Sequence, residues 1–496
     1  MFFTSTRQNK RINASEAIVQ GISEDGGLFA PSEFPPISEQ EFKRMLNASY
    51  GERAFIILKK FLNDFSDDEI LKCVKGAYGN NFENSNPAPV KMLNDNLSVI
   101  ELWHGPTCAF KDLALQLLPY LLTVSVKKTN PKQTTVILVA TSGDTGKAAL
   151  EGFRDVEGTQ IMVFYPEDGV SSMQKRQMTT QEGSNVAVCA VKGNFDDCQS
   201  GVKKIFTDPE IKDALEANKL MFSSANSINW GRLVPQVVYY ISSYASLVAD
   251  EQISLGDTVN VVVPTGNFGN ILAAYYAKKM GLPLGKLICA SNINNVLTDF
   301  INTGVYDRNR KFYATTSPSM DILISSNLER LLYMLSGNDD AQIREWFGAL
   351  ANDGKYEVTD DIKAKIAEEF YAGYCDDEQT KATIHNIYEK YSYVCDTHTA
   401  VAVKVYEDYR KATGDTTRTL IASTASPYKF SASVLDAICP EAITEDEYAM
   451  VDKINELSKI TIPESLADLK NKPVRFSGSV ASAEMPEYVL GALNIK

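Results

Sequence analysis

The chain has 496 residues, 44% of them hydrophobic and 23% charged, which predicts two to four globular domains with substantial cores. Its net charge of −14 argues against a general surface for nucleic acid or for anionic membranes, because both would be repelled. Eight cysteines without paired two-residue spacing, and three histidines without a helical pair, argue against a metal or dithiol site and indicate reduced thiols in a cytoplasmic protein.

The N-terminal region mixes polar loops with short amphipathic helices. Apolar periodicity predicts helices over residues 39–46 and 54–62, and residues 25–27 form a turn signal. No run resembles a signal peptide, and none in the whole chain reaches the roughly 18 apolar residues of a membrane span. The mixture of polar loops and short amphipathic helices predicts an N-terminal cap domain over residues 1–97.

The stretch from His104 to Leu113 places one lysine, Lys111, in a cramped apolar turn. Gly105 and Pro106 break regular structure, and the neighbours of Lys111 are mostly apolar. Burial there would favour the neutral amine, which can attack carbonyl groups. A second interpretation is a lysine at a helix start whose stem lies on apolar surface while its head stays in water.

A strand, a glycine-containing loop and a helix follow in that order. Residues 135–140 are a continuous β-branched apolar run, 141–146 form the loop, and 147–153 are predicted to be helical. Such a corner presents unpaired backbone amides to an anion. Further strands are predicted at 161–165 and 186–191, so the pattern is a repeated alternation of strand and helix.

The same arrangement returns at residues 259–281 with a stronger phosphate signal. The strand at 259–264 runs into Gly266-Asn267-Phe268-Gly269-Asn270 and then into a helix. Two glycines three residues apart let the backbone curl around a phosphate at a helix N-terminus. The third glycine of the dinucleotide fingerprint is missing, which favours a smaller phosphate ester. A purely structural turn is the alternative.

The rest of the chain adds a charged helical region and a final strand. After a strand at 286–290, residues 299–391 look helical and solvated, and no chemistry is expected there. The strand at 417–423 ends at Thr424. Because ligands collect beyond the carboxyl ends of parallel strands, we expect Ser142, Gly266 and Thr424 to converge on one crevice. The predicted class is α/β, with a core over 98–290, a helical subdomain over 291–392, and a return to the core over 393–496.

Several blocks in this order resemble the threonine synthases of the long bacterial and fungal form. The resemblance covers nearly the whole chain. The blocks are Thr4–Arg7, Glu24–Leu28, His104–Thr107, Phe110–Asp112, Ala140–Gly146, Asn226–Arg232, Gly266–Asn270 and the corner at Thr424.

The resemblance implies fold type II of the pyridoxal-phosphate enzymes, with doubly wound, mostly parallel sheets, an N-terminal cap and a helical insertion. By position, Lys111 matches the lysine that carries the cofactor, with Phe110 beside it. The residues of the loop from Gly266 to Asn270 match the cofactor phosphate cup, and Thr424 matches the hydroxyl beside the pyridine nitrogen. The loop Ser142, Gly143, Asp144 and Thr145 matches the one that holds the substrate carboxylate. A hydrogen bond from backbone amides within the loop is the expected role of Asp144.

The implied reaction converts O-phosphohomoserine and water into threonine and phosphate, with Lys111 moving protons at Cα and Cβ. The departing phosphate needs a cation. Arg232 is preferred over Lys175 and Lys147 because its planar guanidinium group can donate two hydrogen bonds to one phosphate. No nucleic acid, membrane or metal is expected to take part, and the expected assembly is a monomer or a weak homodimer.

The sequence departs from the family pattern at two places. Thr397 replaces a proline before His398, and Ser426 replaces a histidine after Thr424 and Ala425. His398 is interpreted as a structural histidine. Two alternatives stay open: a phospholyase that releases ammonia, phosphate and a 2-oxoacid, and a non-catalytic ligand-binding relative.

Overall fold

A computed structural model describes residues 1–130, 132–167 and 170–495. Its strands build one mostly parallel sheet, one smaller parallel sheet and two small antiparallel sheets. The strands are β1 (Phe3–Ser5), β2 (Gln8–Ile12), β3 (Phe29–Pro31), β4 (Val90–Asn94), β5 (Leu97–Glu101), β6 (Thr134–Ala140), β7 (Thr159–Pro166), β8 (Val186–Lys192), β9 (Leu220–Ser223), β10 (Val259–Pro264), β11 (Leu284–Ser291), β12 (Val305–Asp307), β13 (Lys355–Glu357), β14 (Phe370–Tyr374), β15 (Thr419–Ser423) and β16 (Ser479–Ala481).

Helices alternate with these strands through most of the chain. They are α1 (Ala14–Gln20), α2 (Glu39–Leu46), α3 (Tyr50–Phe61), α4 (Asp67–Tyr78), α5 (Asp112–Leu115), α6 (Leu118–Thr129), α7 (Asp144–Phe153), α8 (Ser172–Thr179), α9 (Phe195–Thr207), α10 (Pro209–Ala217), α11 (Trp230–Ala249), α12 (Gly269–Lys279), α13 (Val296–Thr303), α14 (Leu328–Leu335), α15 (Asp340–Asn352), α16 (Asp360–Glu369), α17 (Asp377–Tyr391), α18 (Thr397–Thr413), α19 (Ser431–Ile438), α20 (Glu447–Ser458), α21 (Glu464–Ala467) and α22 (Met485–Ala492).

The larger sheet has the strand order β14-β11-β10-β15-β5-β4. All of its pairs are parallel except β4 with β5. Every residue of β10 is buried, as expected for a β-branched strand with helices covering both faces. The predicted α/β class with mostly parallel sheets is therefore confirmed.

The smaller sheet has the order β16-β8-β7-β6-β9, and all of its pairs are parallel. Its edge strand β16 comes from the C-terminal segment. Arg475 connects the same segment to this sheet's region by donating to the carbonyls of Gln181 and Gly183 at 2.6 and 3.0 Å. The last part of the chain thus reaches the smaller sheet after leaving the larger one.

The N-terminal region forms the small antiparallel sheet β2-β1-β3 and the helices α1 to α4. Ser38, Ser49 and Ser66 each accept a hydrogen bond from a backbone amide in the first turn of the next helix, which explains where α2, α3 and α4 begin. However, β4 joins the larger sheet, so the end of the predicted cap domain, residues 90–97, belongs structurally to the core.

The helical description of residues 291–392 is wrong in part. This region contains β12, β13 and β14, and β14 is the edge strand of the larger sheet. The charged surface of α16 and α17 gives the region its helical pattern, whereas β14 is only five residues long and lies between them. A short edge strand between two helices carries too little periodicity to be recognised.

Among the described residues, no helix combines the length and apolar character that a membrane span requires. Within the same residues, His, Cys, Asp and Glu side chains form no group of three or more suited to a metal ion.

Candidate active site

The turn before α5 is held by Asp112. This buried carboxylate accepts hydrogen bonds from the backbone N–H of Thr107 at 2.8 Å and from the Thr107 hydroxyl at 2.6 Å. Burial raises the pKa of Asp112 to about 6, although the bonds from Thr107 oppose this. A Cβ on Gly105 would lie 2.5 Å from the Asp112 Cβ, so only glycine fits there. The turn thereby fixes the backbone at Lys111.

Lys111 points into a crevice and not into water. Its side chain is 11% exposed, and its Nζ lies 3.6 Å from Asp144 Oδ2 and donates to Ser319 Oγ at 3.3 Å. Burial lowers the pKa of Lys111; Asp144 opposes this, while the charges of Lys429 and Arg232 add to it. Of the two interpretations of Lys111 from the sequence, this geometry favours the buried reactive amine.

Asp144 forms the centre of a buried charge cluster. Its Oδ1 lies 2.6 Å from Lys429 Nζ and accepts from Gln174 Nε2 at 3.0 Å. Burial alone would raise the pKa of Asp144, but Lys429 and then Lys111 outweigh burial and hold that pKa far below its usual value. The expected hydrogen bond from loop amides is therefore wrong for Asp144, because two lysines from other segments take its oxygens.

Lys429 was not predicted as a site residue. It is fully buried and donates from Nζ to the Thr107 carbonyl at 2.9 Å as well as contacting Asp144. It therefore connects the Lys111 turn, the start of α7 and the segment after β15. Its position five residues after Thr424 was the available signal, but the head of a lysine side chain ordinarily faces solvent.

The predicted phosphate loop lies between β10 and α12. Phe268 has a φ of 64°, in the left-handed region, and α12 begins at Gly269 immediately afterwards. A Cβ on Gly266 would lie 2.6 Å from the Ser319 carbonyl oxygen. Ser319 thus contacts both Lys111 and this loop and places them side by side. Asn267 is exposed and its carbonyl accepts from the Asn327 N–H at 3.0 Å.

The loop retains a buried donor that the protein does not use. Asn270 Nδ2 has no hydrogen-bond partner in the part of the chain that the structure describes. An unpaired buried donor beside the N-terminus of an eleven-residue helix suits an anion. Together with the buried Lys111 amine, these groups fit pyridoxal phosphate, with the loop at its phosphate and Lys111 at its aldehyde.

Thr424 lies next to the Lys111 turn. The Phe110 N–H donates to the Thr424 carbonyl at 2.8 Å, and Ala109 forms an isolated antiparallel bridge with Ala425. The Phe110 ring centroid is 5.5 Å from Lys111 Nζ. The structure therefore brings Phe110 and Thr424 together with Lys111.

The loop from Ser142 to Thr145 leads directly into α7. Gly143 has a φ of 137°, and the Thr141 hydroxyl accepts from the N–H groups of Gly143 and Gly146 at 2.9 Å each. Ser142 and Thr145 are half-buried. The loop leads into the ten-residue helix α7, and its residue Asp144 contacts Lys111.

The three predicted phosphate-binding cations occupy different environments. Arg232 is buried at the start of α11, donates from Nη1 to the Ala225 carbonyl at 2.5 Å, and has an Nε without a partner among the described residues. Burial lowers its pKa to about 10, so it stays charged at neutral pH. Lys147 instead pairs with Glu151 at 3.1 Å, and Lys175 is exposed. The charge of Arg232 is also among the influences that lower the pKa of Lys111.

Ser319 comes from the region in which no chemistry was expected. It follows Pro318 in a single 3-10 turn that reaches back to the crevice. Its N–H donates to His398 Nε2 at 3.2 Å, and His398 Nδ1 contacts Asp396 Oδ1 at 2.9 Å. His398 is thus buried with both ring nitrogens occupied, and its role is to hold the backbone of Ser319.

We expect His398→Ala to lower the free energy of unfolding by about 1–3 kcal/mol, because the Ser319 N–H loses its acceptor. Urea denaturation measures this loss. His398→Gln, which keeps an acceptor on a side chain of similar reach, is the matched control and should recover part of it. Equal losses in the two variants would show that packing, and not the hydrogen bond, matters at this position.

Family models match three consecutive parts of the chain. Residues 2–78 match "Threonine synthase N terminus", 87–359 match "Pyridoxal-phosphate dependent enzyme", and 399–487 match "Threonine synthase, C-terminal".

Curated relatives agree with these matches, although the chain spans less than two thirds of the length of some of them. The chain is 41% identical over 482 residues to threonine synthase-like 1 of Homo sapiens, covering 95% of this chain but only 64% of that protein. It is 37% identical over 485 residues to threonine synthase of Pseudomonas aeruginosa, covering 96% of this chain and 100% of the relative.

Two solved structures are similar throughout. The PLP-bound threonine synthase of Brucella melitensis has a TM-score of 0.88 at 36% identity, with 99% of both chains covered. Threonine synthase from yeast has a TM-score of 0.87 at 34% identity, also with 99% of both chains covered.

Proposed function

Because the chain belongs to the threonine synthase family of pyridoxal-phosphate-dependent enzymes, we propose that it converts O-phospho-L-homoserine and water into L-threonine and phosphate. The observation that supports this most directly is the environment of Lys111. A buried lysine with a lowered pKa shares one crevice with an anion-binding loop and with Arg232, a buried cation that, unlike Lys429, has no carboxylate partner among the described residues. The loop suits the phosphate of the cofactor, and Arg232 suits the phosphate of the substrate.

Lys111 is the proposed base and acid of the reaction. Its lowered pKa increases the neutral fraction that can accept a proton from the substrate Cα and Cβ. The bound cofactor supplies an electron sink for the substrate carbon atoms. Phosphate leaves from Cγ, and one of the two removed protons goes to Cγ. Water then adds its hydroxyl at Cβ while its remaining proton passes to the released phosphate, and the other removed proton returns to Cα. Asp144 holds the Lys111 amine from one side and Ser319 from another.

The remaining proposed contacts follow from position in the crevice. The loop from Ser142 to Thr145 binds the substrate carboxylate at the N-terminus of α7 through its hydroxyls and through backbone N–H groups other than that of Gly143, which donates to the Thr141 hydroxyl. Gly266 to Asn270 bind the cofactor phosphate, and Thr424 places its hydroxyl beside the pyridine nitrogen. A hydroxyl there does not enforce a protonated ring as an aspartate would.

Arg232 is the proposed partner of the substrate phosphate. We expect Arg232→Ala to lower kcat/KM for O-phosphohomoserine by about 10- to 100-fold, because charge-assisted hydrogen bonds contribute about 1.5–3 kcal/mol. Arg232→Lys should lose less, since it keeps the charge without the planar fork. Steady-state kinetics measures both variants. Lys175→Ala, which removes an exposed lysine, is the control, and an unchanged kcat/KM in Arg232→Ala would contradict the assignment.

Purified protein incubated with O-phosphohomoserine tests the proposed reaction. Threonine and phosphate should form in equal amounts, with neither ammonia nor 2-oxoacid. Borohydride reduction followed by peptide mapping should place one phosphopyridoxyl group on Lys111. A protein that acquires the group but forms neither threonine nor oxoacid from O-phosphohomoserine would contradict the proposal and favour the non-catalytic alternative.

A phospholyase reaction is the second candidate, and one observation favours it. Ser426 stands where the family pattern has a histidine; it is buried, and its Oγ has no partner among the described residues. A serine hydroxyl in place of a histidine ring changes which side-chain groups can contact the cofactor or the substrate beside Thr424. Release of ammonia and a 2-oxoacid together with phosphate, in place of threonine, would identify this reaction.

The cytoplasmic location also belongs to the proposal. All eight cysteines, which lie in the described part of the chain, are free thiols, and seven are buried. Free thiols in this number suit a reducing compartment. The expected monomer or weak homodimer stays a prediction.

A further inference from the structure

Two neighbouring tyrosines on α11 contact the same oxygen of the phosphate loop. The Tyr239 hydroxyl donates to Asn270 Oδ1 at 2.6 Å, and the Tyr240 hydroxyl donates to the same atom. All three side chains are buried. Since a carbonyl oxygen has two lone pairs, the acceptor capacity of Asn270 is filled by α11 alone.

In this arrangement the oxygen of the Asn270 amide faces α11. With Oδ1 against the two hydroxyls, Nδ2 lies on the other side of the amide, where it has no partner among the described residues. The reversed amide would leave Oδ1 as the buried unpaired atom. At a helix N-terminus that receives an anion, an inward-facing donor is favourable and an inward-facing acceptor is repelled.

We propose that Tyr239 and Tyr240 are positioning residues that lock the Asn270 amide with Nδ2 directed at the cofactor phosphate. This rests on the proposed assignment of Gly266 to Asn270 as the phosphate loop. The tyrosines act through Asn270 and need not touch the cofactor themselves.

The burial of the two phenols suits this role. Burial raises the pKa of both Tyr239 and Tyr240 well above the ordinary value, so both remain protonated donors throughout the physiological range. Tyr239 has a second acceptor, Gln236 Oε1, at 3.2 Å, but its distance to Asn270 is shorter. The hydrogen bonds from the two tyrosines to Asn270 are therefore expected to persist throughout the physiological pH range.

The double variant Tyr239→Phe/Tyr240→Phe tests the proposal. Apoprotein prepared with hydroxylamine is titrated with pyridoxal phosphate, and the dissociation constant is followed by fluorescence. We expect affinity to fall about tenfold, the effect of one charge-assisted hydrogen bond. Each single variant should stay within about threefold of the unmodified protein, because one hydroxyl still orients the amide.

Two controls separate the lock from packing. Tyr244→Phe removes a hydroxyl from the same helix that donates to the Asp257 carbonyl at 2.8 Å, and it should leave the affinity unchanged. Pyridoxal, which lacks the phosphate, should bind the double variant and the unmodified protein equally. An equal loss of affinity for pyridoxal and pyridoxal phosphate would overturn the proposal.

A mutant cycle with Asn270→Ala gives the decisive comparison. In that background the two tyrosine substitutions should have no further effect on the affinity for pyridoxal phosphate; a persisting tenfold loss would overturn the proposal. If the double variant does not fold, Asn270→Asp replaces it: the tyrosines then orient a carboxylate toward the phosphate, and affinity should fall more than in Asn270→Ala. Because only cofactor binding is measured, a failure to produce threonine would leave this test intact.

Discussion

Replacing Lys111 with alanine is expected to reduce threonine formation from O-phosphohomoserine by about a thousandfold or more. The reason is that Lys111 is the buried amine in contact with both Asp144 and Ser319, and its lowered pKa suits proton transfer. Alanine removes the proposed attachment point and the proposed base together. The rate is measured as phosphate and threonine released per enzyme.

The control for this experiment is Lys453→Ala, which removes a half-buried lysine paired with Glu456 and should not change the rate. Borohydride should incorporate a phosphopyridoxyl group into Lys453→Ala but not into Lys111→Ala. Retention of more than a tenth of the activity in Lys111→Ala would remove the basis of the proposed function.

Replacing Lys429 with methionine is expected to lower the free energy of unfolding by about 3–5 kcal/mol, because the buried Asp144 carboxylate loses its closest positively charged partner. Lys429 and Asp144 are both buried, at 2.6 Å, and Lys429 also donates to the Thr107 carbonyl. Urea denaturation measures the loss. Lys404→Met breaks a surface pair with Asp408 and should lose no more than about 1 kcal/mol.

The double variant Lys429→Met/Asp144→Asn distinguishes the two causes of this loss. It removes the unpaired charge, so it should be more stable than Lys429→Met alone. If the double variant is no more stable than the single one, then packing of the Lys429 stem, and not the charge on Asp144, explains the loss.

The pH dependence of the Lys429→Met deficit has a definite sign. In the unmodified protein the folded pKa of Asp144 is depressed, so its contribution to stability is present above the unfolded pKa of about 3.9 and is lost only as pH falls through the folded pKa. Removing Lys429 takes away the largest influence that lowers the pKa of Asp144, so this pKa should rise relative to the unmodified protein, although Lys111 still opposes burial. The deficit should therefore be largest near neutral pH and shrink as the pH is lowered and Asp144 takes up a proton.

Several strands and loops of the core were predictable from local pattern. The predicted strand at 259–264 coincides with β10, and the one at 135–140 differs from β6 by one residue. Continuous β-branched runs are unambiguous because burial on both sides leaves no polar alternation. By contrast, β14 was missed, since its five residues stand between two charged helices.

The residues of the candidate site also fall into two groups, those with a local sequence signal and those without one. Lys111, the loop at Gly266 and the corner at Thr424 each follow a local signal, namely a constrained turn or the end of a parallel strand. Ser319 and Lys429 carry no such signal. Ser319 lies in an irregular segment, and Lys429 resembles any lysine on a helix.

The sequence by itself determined the α/β class, the loops at the strand ends and the lysine at the centre of the site, because these depend on residues adjacent along the chain. Only the tertiary structure decided that Lys429 neutralises Asp144, that Ser319 reaches Lys111, and that two tyrosines of α11 orient Asn270. Those contacts join segments far apart in the chain, and the burial that makes a lone charge or an unpaired amide unfavourable exists only once the segments have packed together.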